Sequence, residues 1–191
     1  DDPPNILSAN WAADMMSGRH PLIGPGDFAL VEDTRTRTIV TATCLLWQIW
    51  EYDGIAFPVG RPEAVASDGN YRERGLVRAA FELLHARSAA QGQLAQAITG
   101  IPYYYRQFGY EYALDLGGGR SVFLDAIPAL EEGQAEPYTL RDASASDIPR
   151  VLALYDRERA RGPVSAQLPA EYLRWTMDGQ DIESGEGRRT Q

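Results

Sequence analysis

Apolar and polar positions change their period several times along the chain, and each change marks an element. Residues 5–18, NILSANWAADMMSG, carry apolar side chains at helical spacing. They predict a short helix, with Asn5 or Ser8 as cap and Gly18 as its end. A proline- and glycine-rich loop follows. FALVED (Phe28–Asp33) alternates as a strand does, the polar TRTR reads as a turn, and TIVTATCLLWQIWEY (Thr38–Tyr52) is a long β-branched and aromatic run. Asp53-Gly54 then supplies a two-residue hairpin turn, which needs φ > 0 at both positions. IAFPVGRPEAVAS (Ile55–Ser67) is the returning strand, where Pro58 and Pro62 imply a bulge or an unpaired edge.

Beyond Gly75 the period lengthens to that of a helix. Leu76, Ala80, Leu83 and Leu84 form one stripe, with Arg78, Glu82 and His85 opposite, so His85 is expected in solvent. Gly92 suits the C-cap. Residues 93–100 read as a strand and 102–109 as a short helix with Pro102 in its first turn. Residues 110–116 and 121–127 alternate as two strands, joined by a hairpin at Gly117, Gly118 and Gly119. Composition shifts to a linker at 128–137. Residues 138–178 then read as strand, turn and two helices. Ser146 is the expected cap of the first, with Pro149 in its first turn and Ile148, Val151, Leu152 and Tyr155 on one face. The second follows Pro169 and groups Tyr172, Trp175 and Thr176. From 179 to 191 there is no apolar period and disorder is expected. No tandem short repeat is present.

Composition narrows the function. In 191 residues, 27 Asp and Glu outnumber 18 Lys and Arg, for a net charge of −9. That balance argues against a nucleic-acid binder relying on phosphate contacts; it suits cationic partners such as amines, with solubility alone as the other explanation of an acidic surface. A single cysteine, Cys44, excludes an internal disulfide and a multi-thiolate metal site, and its apolar surroundings predict a buried, inert thiol. His20 and His85 have no metal-site spacing. There is no run of the roughly 18 apolar residues that would span a membrane and no signal peptide, so a cytoplasmic location is expected. The chain opens on Asp1 rather than Met, as a piece of a longer product would.

The chemistry gathers at SDGNYRERGLVRAAFELLHARSAAQG (residues 67–92), where a strand gives way to a helix through Arg72, Arg74 and Gly75. A helix start offers unpaired N–H groups and the positive end of the helix dipole, and glycine lets the backbone approach a ligand, so this turn suits a phosphate or pyrophosphate. It lacks the Gly-Lys-Ser/Thr of a Walker A loop and the three glycines of a dinucleotide fingerprint. Solvated arginines at an ordinary helix start are the alternative.

Arg72-Glu73-Arg74-Gly75-Leu76-Val77 resembles the Gln/Arg-x-x-Gly-x-Gly/Ala signature of the GNAT superfamily of acyl-CoA N-acetyltransferases, with Val77 in place of the last small residue. YYYRQFGY (residues 103–110) is similar to that family's FYxxFGF segment. The resemblance covers residues 5–127, without the usual first strand and helix, and YTLRDASASD beyond the linker resembles the start of a further GNAT domain. The chain is therefore identified as a piece of a tandem protein similar to enhanced-intracellular-survival-type acetyltransferases, or as one domain that residues 138–178 complete, within the same chain or across a homo-oligomer.

The resemblance implies an α/β (α+β) fold with a mixed, mostly antiparallel, splayed sheet flanked by helices. Its domain spans residues 1–127, followed by a linker at 128–137, a partial second unit at 138–178 and a tail at 179–191. It implies acetyl-CoA as cosubstrate, an amine acceptor, and no metal, nucleic acid or membrane. Backbone groups of Val65, Ala66 and Ser67 would hold pantetheine, and the amides of Arg72, Glu73, Arg74, Gly75, Leu76 and Val77 would hold the pyrophosphate. Tyr105 would be the acid that protonates the departing thiolate, and Glu63 a candidate base, water relays being the alternative. Packing is the competing role for the tyrosines and for Trp11, Met15, Met16, Trp47, Trp50 and Tyr52. A non-catalytic CoA-binding or assembly module is the competing function.

Overall fold

The structure is a computed structural model that describes residues 6–115, 121–129, 133–135, 137–139 and 141–179. Helix α1 (Ile6–Met16) leads through a Pro25–Asp27 turn into β1 (Phe28–Asp33), β2 (Thr38–Tyr52) and β3 (Ile55–Ser67). These three strands have the bounds that their alternation predicts. Asp53 and Gly54 have φ of 49° and 82°, the left-handed pair that a tight hairpin requires. Helix α2 (Leu76–Ala90), β4 (Ala95–Gln96), α3 (Ile148–Arg159), β5 (Val164–Ala166) and α4 (Ala170–Asp178) follow.

The sheet runs β1-β2-β3-β4, with β5 paired to β2. All pairings are antiparallel except β3 with β4. Successive residues of β2 serve opposite faces. Cys44 and Leu46 pack with Met15 of α1 and Ile23, whereas Leu45 packs with Ala29 and Leu84 of α2. Helices thus cover both sides of a mixed, mostly antiparallel α+β sheet.

Two irregularities in β3 shape the site. Thr41 and Ala42 pair with Ser67 and Ala66, but Cys44 pairs with Glu63, so β3 carries one extra residue between. Ala64 absorbs it with φ of 51°, and the Thr43 hydroxyl donates to the Glu63 carbonyl at 3.1 Å. The two prolines act on the other edge. Pro58 and Gly60 turn their carbonyls to β4, accepting from Leu94 and Ala97. Pro62, next on that side, has no N–H to offer. Residues 93–100 therefore supply only the two-residue β4 instead of the expected long strand, and β3 and the chain after β4 part company.

Other expectations are corrected. The short helix expected at 102–109 is present as a 3-10 helix, Tyr104–Phe108. Residues 111–115 and 121–123 carry no strand, and Leu124–Ala126 forms a 3-10 turn; the glycines of the expected hairpin and the tail beyond 179 lie outside the described residues. The turn before α3 is capped by Ser144, in a capping box with Asp147, rather than by Ser146. On α2 the buried side chains are Ala80, Phe81, Leu84 and Ser88, while Leu83 is exposed. His85 is half-buried rather than solvated, because Tyr110 folds onto it, with His85 Nε2 3.3 Å from the Tyr110 hydroxyl.

Residues 138–178 do not stand apart. β5 pairs with Trp50, Glu51 and Tyr52 at the far end of β2. Arg159 of α3 reaches Glu51 at 3.0 Å, and Trp175 of α4 buries itself against His20, with ring centroids 4.2 Å apart.

Candidate active site

The cleft opens where β3 and β4 part. One wall is the end of β3, Val65, Ala66 and Ser67; the floor is the turn into α2; the other wall is the aromatic 3-10 turn. Its volume is about 800 Å³, room enough for a cofactor-sized molecule. All nine residues expected to hold the donor line it, and so does Tyr105.

Local geometry explains the floor. Asp68 accepts from the Asn70 amide at 2.8 Å and starts a 3-10 turn, Gly69–Tyr71. Tyr71 then donates its hydroxyl to Asp33 at 2.8 Å, anchoring the turn to the end of β1. The Asp33 carboxyl lies below its ordinary value because the Arg35 backbone N–H, then the Tyr71 hydroxyl, donate to it. Beyond Arg72 the backbone turns left-handed twice, at Glu73 (φ 61°) and at Gly75 (φ 74°), which is the N-cap of α2. A turn with such residues presents successive N–H groups to one concavity, and the first N–H groups of the helix add to it. Glycine takes this conformation freely; glutamate adopts it at a cost.

The arginines divide the work. Arg74 donates to the Asn70 carbonyl at 3.0 Å and lies over the Tyr71 ring, so it braces the turn. Arg72 is exposed and forms no hydrogen bond or ion pair among the described residues. Its charge is free for an anion. Val77, where the family signature has a small residue, lines the cleft half-buried. Arg78, not singled out by sequence, spans the mouth to Gln107, at 3.1 Å from the side-chain oxygen and 3.3 Å from the carbonyl, and lies over Phe108. Its position in the first turn of α2 was the available signal, but Gln107 is 29 residues away and only the fold brings it near.

Tyr105 stands at the inner end. Its ring is half-buried against Phe81, centroids 5.8 Å apart, and so close to Gly100 that a Cβ there would collide with it. Burial raises the Tyr105 pKa above its ordinary value, and the neighbouring Tyr104 and Glu63 raise it further. Glu63 itself is not on the cleft wall. It sits beneath, its carboxylate paired with Arg61 and mostly covered. Cys44, opposite Glu63 in the ladder, is buried; burial, then the Glu63 charge, pushes its thiol up to about 12, so it is a core residue without reactivity.

The comparisons with known proteins fit this geometry. The family described as an acetyltransferase (GNAT) domain matches residues 4–113, more than half of the chain. The chain belongs to the GNAT acetyltransferases. Solved structures agree on the fold. The GCN5-related N-acetyltransferase from Kribbella flavida superposes with a TM-score of 0.56 at 21% identity, over 81% of this chain and 39% of that one. The N-myristoyltransferase of Saccharomyces cerevisiae, solved with bound myristoyl-CoA, gives 0.59 at 16% identity, over 89% of this chain and 41% of that one. This GNAT chain thus spans about two fifths of the length of either. No curated protein sequence matches it. Membership supports acyl transfer as the general chemistry. Among the described residues no helix is long and apolar enough to cross a membrane, and no group of three or more His, Cys, Asp or Glu could hold a metal ion.

Proposed function

We propose that this GNAT domain is an N-acetyltransferase that moves an acetyl group from acetyl-CoA to an amine. The observation that carries the reading is the single cleft that joins a left-handed, basic helix start to a half-buried tyrosine. The amides of residues 72–77 and the charge of Arg72 hold the diphosphate, and the exposed edge of Val65, Ala66 and Ser67 holds the pantetheine arm. An amide of that edge also stabilises the thioester oxygen as charge develops on it.

Transfer forms a C–N bond and breaks a C–S bond. The ammonium of the acceptor first loses a proton, since an amine of pKa about 10.4 is almost wholly charged at neutral pH. Tyr105 then gives its hydroxyl proton to the departing sulfur and regains one from solvent. The first proton leaves through water rather than directly to Glu63, because the Glu63 carboxylate is covered and engaged by Arg61. That engagement also favours a second reading, a CoA-holding module without turnover.

Residues 138–178 are best taken as completing this domain, with β5 extending its sheet. An origin in a tandem protein is compatible with that, the start of a second unit docking on the first.

Acetyl-CoA turnover against a panel of amines, with CoA affinity by calorimetry, tests the assignment. Tyr105→Phe is expected to cut kcat by about a hundredfold or more while CoA affinity is kept. A parent with CoA binding and no turnover would leave the holding module, and a parent that binds no CoA at millimolar ligand would end both readings.

A further inference from the structure

Tyr105 walls a second, smaller cavity of about 60 Å³ on its other side. The segment that encloses it is closed on itself: the Tyr103 N–H donates to the Tyr112 hydroxyl at 2.6 Å. Tyr103 holds a left-handed backbone, φ 65°, to make that closure, and strain of this kind persists where surrounding contacts require it. The two rings stand edge to face, 5.6 Å apart. Beside the pair sits this chain's own Arg106, its guanidinium carbon 5.3 Å from each ring centroid. Glu111 completes the set, 3.0 Å from Arg106 Nε and 2.9 Å from Nη2.

Two aromatic faces and a carboxylate around one cation are the chemistry that recognises an alkylammonium. Arg106 and Glu111 are both largely exposed, with about half and two thirds of their side chains open to solvent, so their ion pair is worth little and another cation can displace it. Arg106 is one of the side chains that line the cavity.

We propose that the acceptor is an aliphatic diamine or polyamine, one amine taking the acetyl group beside Tyr105 while a second cationic amine replaces Arg106 against Tyr103, Tyr112 and Glu111. This rests on the acetyl-transfer reading of the neighbouring cleft and deepens it by naming the substrate class. The cage adjoins the larger cleft at Ile101 and Tyr105, which line both cavities, and Tyr105 is the residue assigned to the thioester. A monoamine of equal length would leave a methyl group in the cage and forgo the contact.

Cadaverine and n-pentylamine separate the two cases. With the unaltered protein, kcat/KM is expected to be roughly fivefold or more higher for cadaverine, the difference lying in KM. Tyr103→Asn, which removes the ring and tolerates the left-handed backbone, and Glu111→Gln are each expected to bring the ratio near one. Arg106→Gln, which removes the internal cation, is expected to tighten cadaverine binding, a direction that a merely structural arginine would not give. Equal kcat/KM for the two amines, or weaker cadaverine binding in Arg106→Gln, overturns the proposal. Calorimetry with cadaverine and no acetyl-CoA keeps the two claims apart. Cadaverine binding that Glu111→Gln weakens, in a protein without turnover, supports the cage and rejects the transferase. CoA binding and turnover with no preference for the diamine rejects the cage and leaves the transferase standing.

Discussion

Tyr105 and Arg72 sit at opposite ends of one cleft, and each is set up by what surrounds it. The Tyr105 hydroxyl is an acid whose pKa burial has raised, with Tyr104 and Glu63 adding to the rise. The sign follows: below the ordinary value near 10 the group is fully protonated, and its acid function is lost only as pH climbs through the raised value. The alkaline limb of kcat is therefore expected above pH 10, and a limb beginning near pH 8 would exclude Tyr105 as the acid. Arg72 lacks a partner among the described residues, so reversing its charge disturbs no internal pairing. Arg72→Glu is expected to weaken CoA binding roughly tenfold at low salt and less at high salt, since exposed charges are screened. Calorimetric titration at two ionic strengths checks this, and equal affinity in mutant and parent rejects the assigned cradle. At this scale the sequence was informative wherever chemistry is tied to backbone. Gly75, Arg72 and the residues between β3 and α2 are contiguous, and their composition betrays a turn. Gln107 and Phe108 stand in the contiguous segment 103–110, but their contact with Arg78 could not be found that way, because it forms only through tertiary approach.

Among the elements, the turn into α2 carries the most conformational cost. Gly75 caps the helix at φ 74° with open space where a Cβ would go. Gly75→Ala therefore meets no clash and is penalised by backbone conformation alone, by about 1–2 kcal/mol. Urea denaturation should show that loss, with a matching drop in CoA affinity as the turn relaxes. Glu73→Gly is the converse and should regain part of it at φ 61°. The long strands were legible because β-branched residues alternate up to an Asp-Gly turn that can do little else. The strands expected at 93–100, 110–116 and 121–127 failed over their described residues for a different reason. Alternation only licenses a strand; a partner edge must receive it. Pro62 withdraws a donor from the edge of β3, so β4 stops after two residues.

For the molecule as a whole, the question is whether residues 138–178 share the cooperativity of the sheet. Trp175 is 6% exposed and lies against the buried His20, whose Nδ1 accepts from the Leu22 amide at 3.1 Å. Together with the Arg159–Glu51 ion pair and the β5 ladder, this ties the C-terminal elements to the loop after α1 and to β2. Trp175→Ala is expected to remove about 3 kcal/mol or more and to lower a single transition seen alike by circular dichroism and by amide exchange in β2. Loss of the α3 and α4 signal while β2 stays protected would instead mark a separately folding unit. In the sequence this docking was one of two open arrangements, since amphipathic helices state that they need a partner surface without saying which.

The extra residue at Ala64 has a consequence for how this scaffold can be altered. Thr41 and Ala42 keep Ser67 and Ala66 as their partners beyond it, so removing one residue there would restore an uninterrupted ladder and leave those two on their present faces. What the strand would lose is the bend and added twist that a two-for-one step gives it just before Val65, Ala66 and Ser67. Smoothing the strand would strengthen the scaffold at the expense of its docking edge, which makes this single irregular step the point where a more regular protein would be a less useful one.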